Sequence, residues 1–159
     1  MGRNEGLRPL LYFAAPLFSE AELSYNVEVV SILERHVDVY LPQRDGGRVT
    51  DLVSKGVGQD EAFRSIYDRD VRALKKADAL FLLLDGRTVD EGAAFELGYA
   101  VALGKQCIGL QTDSRRLMPL GNNPMIQVPL GRILNTKAQV EHWALDFARR
   151  VRLLASAEI

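Results

Sequence analysis

Asp90 and Glu96 are the residues whose types and spacing first suggest chemistry. Asp90 precedes a helical segment and Glu96 falls on its second turn. Between them lie the small residues Gly92, Ala93 and Ala94, which would let a substrate lie against the start of the helix. Glu96 is flanked by Phe95 and Leu97 and followed by Gly98. A lone carboxylate in an apolar, alanine-rich helix either faces solvent or has a partner or a task. Burial would raise its pKa, and a nearby hydroxyl such as that of Tyr12 would stabilise its charged form. From spacing alone, a solvated glutamate and a functional one both remain open.

Other polar residues have plainer explanations. Asp70 sits in a charged helical stretch and suits a solvated face. Tyr12 suits a core tyrosine with a satisfied hydroxyl. Asn123 before Pro124 is ordinary turn chemistry, and Gln43 after Pro42 belongs to a loop.

Composition narrows the chemistry. The chain has 159 residues, 47% apolar and 26% charged, with net charge −1, which suits one domain with a single core over residues 1–159. No global basic field gathers phosphate backbones, so a neutral small molecule fits better than nucleic acid. Two histidines and a single cysteine cannot assemble a typical zinc site. No metal and no cofactor are expected, and catalysis must rest on carboxylates, hydroxyls and amides. Cys107, in an apolar run, suits a buried small residue. The first residues carry no hydrophobic targeting core, and no apolar stretch is long enough to span a bilayer. The cytoplasm is the default location, with no membrane partner.

The elements that must position these side chains alternate. Pro9 to Ala15 is a short apolar run and predicts a strand. Ser19 with Glu22 three residues later is a capping-box pattern, opening a helix to about Arg35. Val37 to Leu41 predicts a second strand, and Gln43 to Gly58, polar and glycine-rich, a long mobile loop. Gln59 to Ala77 has helical periodicity, with Phe63, Ile66, Tyr67, Val71 and Leu74 on one face. Ala79 to Leu84 is apolar on both faces and suits the centre of a parallel sheet. A helix over Asp90 to Leu103, a strand over Gln106 to Gln111, a polar loop over Thr112 to Gly121, a short strand within Met125 to Leu134 and a helix over Lys137 to Ala155 complete the chain. Strands alternating with helices predict an α/β, flavodoxin-like three-layer sandwich: a five-stranded parallel sheet with helices on both faces. Ligands bind such sheets outside the carboxyl ends of the strands.

Two segments carry a family resemblance. Leu11-Tyr12-Phe13-Ala14-Ala15-Pro16-Leu17-Phe18 resembles the YxAGPLF motif of the nucleoside 2-deoxyribosyltransferase family. The run from Asp90 to Ala100 resembles its D-x-G-T-x-x-E-x-G-x-A motif. Leu103-Gly104-Lys105, Thr112 to Arg116 and Asn123 to Ile126 are similar to further family segments. The likeness extends from about residue 10 to residue 130. It implies Glu96 as nucleophile and Tyr12 as the hydroxyl that orients it. It implies Asp90, assisted by Asp70, as proton source for a departing base. Asn123 would bind the 5′-hydroxyl, in several members across a subunit boundary, so a homo-oligomer of at least two chains is implied. Gln43 and Phe18 would border the base. The implied activity is transfer of 2-deoxyribose between nucleobases with retained configuration, the substrates being a 2′-deoxynucleoside and a free base.

Two positions depart from the pattern. Ala15 stands where the first motif has glycine, and Ala93 where the second has threonine. Ala93 would remove a hydroxyl near the sugar or the helix start. A related branch of the fold hydrolyses deoxynucleoside monophosphates and carries serines where Asp90 and Asn123 stand. A carboxylate repels a phosphate, so Asp90 favours an unphosphorylated nucleoside. Two other readings compete: a hydrolase using water as acceptor, and a non-catalytic flavodoxin-like module with Asp85 as a phosphoacceptor.

Overall fold

A computed structural model of the chain describes residues 8–115 and 121–157. Arg116, part of the sequence resemblance, lies outside the described residues. The elements are β1 (Leu10–Ala14), α1 (Glu20–Leu33), β2 (Asp38–Tyr40), α2 (Val49–Ser54), α3 (Gln59–Lys76), β3 (Ala79–Leu83), α4 (Glu91–Ala102), β4 (Gln106–Leu110), α5 (Pro124–Gln127), β5 (Ile133–Leu134) and α6 (Lys137–Ala157). The five strands form one parallel sheet in the order β2-β1-β3-β4-β5. This is the flavodoxin-like order, with a switch point between β1 and β3 where the winding reverses.

The two faces of the sheet follow from the alternation of strand side chains. Leu11, Phe13 and Ala15 point to one face, where they join Phe81, Leu83, Ile108 and Leu110 under α1 and α6. Phe13 stacks on Phe81, which packs against Trp143 of α6. Tyr12 and Ala14 point to the other face and join Leu80, Leu82 and Leu84 under α3 and α4. β3 is buried throughout, as its unbroken apolar run requires of a strand covered on both sides.

Local signals explain most element ends. The Ser19 hydroxyl accepts from the Glu22 amide while the Glu22 carboxylate accepts from the Ser19 amide, closing the capping box of α1. Asp90 caps α4 and Asn123 caps α5, each accepting a backbone N–H from the first turn. No helix among the described residues is long and apolar enough to cross a membrane.

One expectation is corrected and two are made more exact. Gln43 to Gly58 is not one long loop: a tight π-helical turn, Pro42–Gly46, is followed by the short helix α2. Side chains hold this turn. Asp45 accepts the Leu41 amide, Arg44 reaches the Val39 carbonyl, and Arg69 of α3 reaches the Gly46 carbonyl. Within Met125 to Leu134 the strand is confined to Ile133–Leu134, because Asn123 and Pro124 start a helical turn first. Finally, Phe63 and Tyr67 do not face the core; both are exposed, and Ala62, Ala73 and Leu74 are the buried residues of α3.

Candidate active site

Tyr12 projects from β1 onto the α3/α4 face, and its hydroxyl donates to Glu96 Oε1 at 2.5 Å. Its neighbour across the parallel pair is Tyr40 of β2, directly in register. The two rings stack with centroids 5.4 Å apart, and the Tyr40 hydroxyl donates to Asp70 Oδ1 of α3 at 2.8 Å. Two adjacent strands thus present two tyrosines to two carboxylates on two helices. Glu96 and Asp70 share a pocket of about 110 Å³ with Tyr12, Tyr67, Gly92 and Phe95. That is well below the roughly 300 Å³ at which pockets begin to bury a whole drug-sized ligand. A cavity of this size can enclose only part of a larger ligand.

The electrostatics of the pocket are strained. Burial raises Glu96 to about 8, against a lowering from the Tyr12 hydrogen bond; the charges of Asp70 and Asp90 add to the rise. Burial likewise raises Asp70, opposed by the hydrogen bond from Tyr40 and by the Arg69 charge. The Tyr12 hydroxyl is pushed far above its ordinary range by burial and by Glu96, so it stays a donor. Tyr40 is raised as well, by burial and Asp70. A carboxylate poised near neutrality beside a fixed hydroxyl can act as a nucleophile or exchange a proton.

Asp90 caps the start of α4, the helix that carries Glu96, and does not itself line this pocket. Its Oδ2 accepts the Ala93 amide at 2.8 Å, and its charge is felt at Glu96. A Cβ at Gly92 would lie 3.1 Å from Asp90 Oδ2, so a side chain there would push that carboxylate by a few tenths of an ångström. Ala93, the departure from the threonine of the family motif, is buried against the sheet. The missing hydroxyl is therefore missing from the core side of α4, not from the wall of the pocket.

Other predicted residues lie elsewhere in this chain. Asn123 is exposed, and its side chain accepts the Met125 amide. It lines a second pocket of about 250 Å³ with Arg87, Val89, Ala94, Asn122 and Ile126, on the other flank of α4. Gln43 is tied to α1, accepting from Asn26 and donating to the Leu23 carbonyl. Phe18 is three-quarters exposed beside the cap of α1. None of the three lines the Glu96 pocket of its own chain.

Asp85 is not poised for modification. Its carboxylate accepts from the Thr112 amide, the Thr112 hydroxyl and the Asp113 amide, clamping the end of β3 to the loop after β4. Cys107 is buried, which pushes its thiol to about 11. Among the described residues no cluster of three histidine, cysteine or acidic side chains is disposed to hold a metal ion.

Sequence reasoning missed Tyr40 and the aromatic walls Tyr67 and Phe95. The signal for Tyr40 was present: it alternates with Val39 in β2, and a parallel strand beside β1 would set it next to Tyr12.

The family model described as nucleoside 2-deoxyribosyltransferase matches residues 11–148. The chain belongs to this family. No curated protein sequence is similar enough to count as a match. Among solved structures, a conserved protein from Enterococcus faecalis V583 is 27% identical, with TM-score 0.66 over 87% of this chain and 98% of that one. The 2-deoxyribosyltransferase of the psychrotolerant bacterium Bacillus psychrosaccharolyticus is 24% identical, with TM-score 0.69 over 87% and 95%. A 2-desoxiribosyltransferase from Leishmania mexicana is 22% identical, with TM-score 0.60 over 87% and 97%. The fold is that of these deoxyribosyltransferases, and family membership makes this chain a nucleoside deoxyribosyltransferase-like enzyme.

Proposed function

We propose that the chain transfers 2-deoxyribose between nucleobases by a retaining double displacement. The observation that carries the proposal is the Tyr12–Glu96 hydrogen bond at a small pocket of about 110 Å³. In the first step a Glu96 oxygen bonds to C1′ of a 2′-deoxynucleoside and the C1′–N bond breaks. The electron pair leaves with the base, which takes a proton from the carboxyl of Asp90. In the second step the nitrogen of an incoming base bonds to C1′, the ester bond breaks and the carboxylate of Glu96 is regenerated. The proton displaced from that base returns to Asp90. Splitting one hard displacement into two through a carboxylate is the logic of retaining glycosidases. Tyr12 holds Glu96 in line and stabilises its ionised form, and Asp70 faces the same space.

The working enzyme in this reading is a cytoplasmic homo-oligomer in which each chain is one catalytic domain. Asn123 supports that arrangement, since within its own chain it opens on a different pocket from Glu96. Exposed apolar side chains stand on both surfaces that would meet: Phe63, Tyr67 and Phe95 on α3 and α4, and Met125 and Val128 at α5. In an assembly, Asn123 of a second copy would reach the sugar.

The test is chromatography of 2′-deoxyinosine incubated with the protein, with and without adenine. 2′-Deoxyadenosine formed only with adenine present supports transfer. Free hypoxanthine and deoxyribose in both tubes would make water the acceptor and the enzyme a hydrolase. Glu96→Ala should abolish either reaction, and normal turnover by that variant would remove the central assignment.

A further inference from the structure

Tyr40 lies outside the residues given a role above, yet it governs one of the pocket's carboxylates. Its hydroxyl donates to Asp70 Oδ1. Gly46, at the end of the turn after β2, encloses that same oxygen. A Cβ at Gly46 would lie 2.8 Å from Asp70 Oδ1 and 3.4 Å from Tyr40 Oη. The backbone of the turn therefore packs closely against Oδ1, and Gly46 is not part of the pocket lining. Arg69 fixes the turn by donating to the Gly46 carbonyl. Among the described residues no other side-chain hydrogen bond engages Asp70. Its remaining oxygen is left for the pocket it lines with Glu96.

We infer that Tyr40 is a positioning residue that fixes Asp70 as an ionised hydrogen-bond acceptor for the substrate, and not as a source of protons. The inference rests on the reading of the Glu96 pocket as a deoxyribosyl site and refines it. The hydroxyl that donates to Asp70 favours its charged form, against the desolvation of the corner it sits in. With one oxygen occupied, it offers a single acceptor to a ligand. The matching substrate feature is a donor, a sugar hydroxyl or a ring or exocyclic N–H of the base.

The groups that bear on Asp70 come from each packed element. Tyr12 stands on β1, Tyr40 on β2, Arg69 on α3 itself and Glu96 on α4. Desolvation raises Asp70, while Tyr40 and Arg69 lower it. Removing the Tyr40 hydroxyl leaves desolvation opposed by Arg69 only. Tyr40→Phe keeps the ring and its stacking on Tyr12, so the fold and core are retained.

The experiment follows the side-chain carboxyl ¹³C resonances of Asp70 and Glu96 against pH in the full chain and in Tyr40→Phe. The expected result is an Asp70 midpoint moved to higher pH in the variant. An unmoved Asp70 midpoint overturns the inference, because a purely structural tyrosine would leave it in place. In parallel, kcat/KM for deoxyribosyl transfer should fall about tenfold, the size of one hydrogen bond to a charged group. Transfer at the parent rate despite a moved midpoint would also overturn it. If the parent chain transfers no deoxyribose, the functional reading falls while the resonances still decide whether Tyr40 controls Asp70.

Discussion

Tyr12 and Glu96 are 84 residues apart in sequence and 2.5 Å apart in space, joined by a hydroxyl that donates to a half-buried carboxylate. The bond opposes the desolvation that raises Glu96 to about 8. In the free enzyme kcat/KM should therefore climb with pH, pass half its plateau near pH 8 and level off about one unit higher, as the nucleophile ionises. Tyr12→Phe removes the opposing influence. Its profile should rise at higher pH than that of the parent, with at least a tenfold loss at pH 7. Initial rates of transfer across pH 5.5 to 9.5, a range of about four units, check both points. An unshifted profile would exclude Glu96 as the titrating group.

The same carboxylate carries a stability cost of definite sign. Glu96 in the folded chain titrates near 8, above its ordinary value of 4.5. Below pH 4.5 both folded and unfolded chains hold the proton. As pH rises through this window the unfolded chain ionises first, so folding loses stability until the folded group ionises near 8. Glu96→Gln has no such loss and can still accept from Tyr12. Its advantage in Tm over the parent should widen between pH 4.5 and 8 and then stay constant. The gain should be on the order of 1–3 kcal/mol, allowing for partial solvent screening, or several °C. Thermal melts at three pH values test it, and a constant difference would contradict the burial argument.

Two glycines of α4 separate function from helix propensity. Gly92→Ala puts a methyl against the Asp90 carboxylate and should cut kcat/KM about tenfold or more by moving it. Gly98→Ala meets nothing within 4 Å. It should raise stability by up to about 1 kcal/mol without changing the rate. Equal rates for the two variants would show that the position of Asp90 is immaterial.

Asp85 predicts a structural phenotype. Asp85→Ala strips acceptors from the Thr112 and Asp113 amides and the Thr112 hydroxyl. The expected cost is roughly 1–3 kcal/mol, seen as a lowered Tm. The parent should take up no label from acetyl phosphate, and stoichiometric labelling at Asp85 would restore the signalling-module reading.

The legibility of this chain differs sharply between elements. The capping box of α1, the doubly buried β3 and a helix opening at Asp90 are local patterns, and they appear as the sequence predicts. The turn at Pro42–Gly46 was hidden because its order depends on Arg69, more than twenty residues away. β5 is two residues long, too short to show any alternation. Tyr40 illustrates the limit at the site. Nothing local marks it, and its importance appears only when β2 is laid beside β1. Phe63 and Tyr67 mislead in the opposite direction, since helical apolar periodicity does not say whether a stripe faces the core or a surface.

The rung shared by Tyr12 and Tyr40 ties chemistry to fidelity of folding. Side chains of a strand alternate between faces, so a slip of β2 by one residue against β1 would send Tyr40 beneath α1 and α6 and bring Val39 over to the pocket. Such a chain could keep most of its sheet and much of its helix and still leave Asp70 unanchored. Spectra of secondary structure would scarcely register the error, whereas turnover would. The catalytic assay is thus also a proofreader of strand pairing, sensitive to a mistake that bulk folding probes overlook.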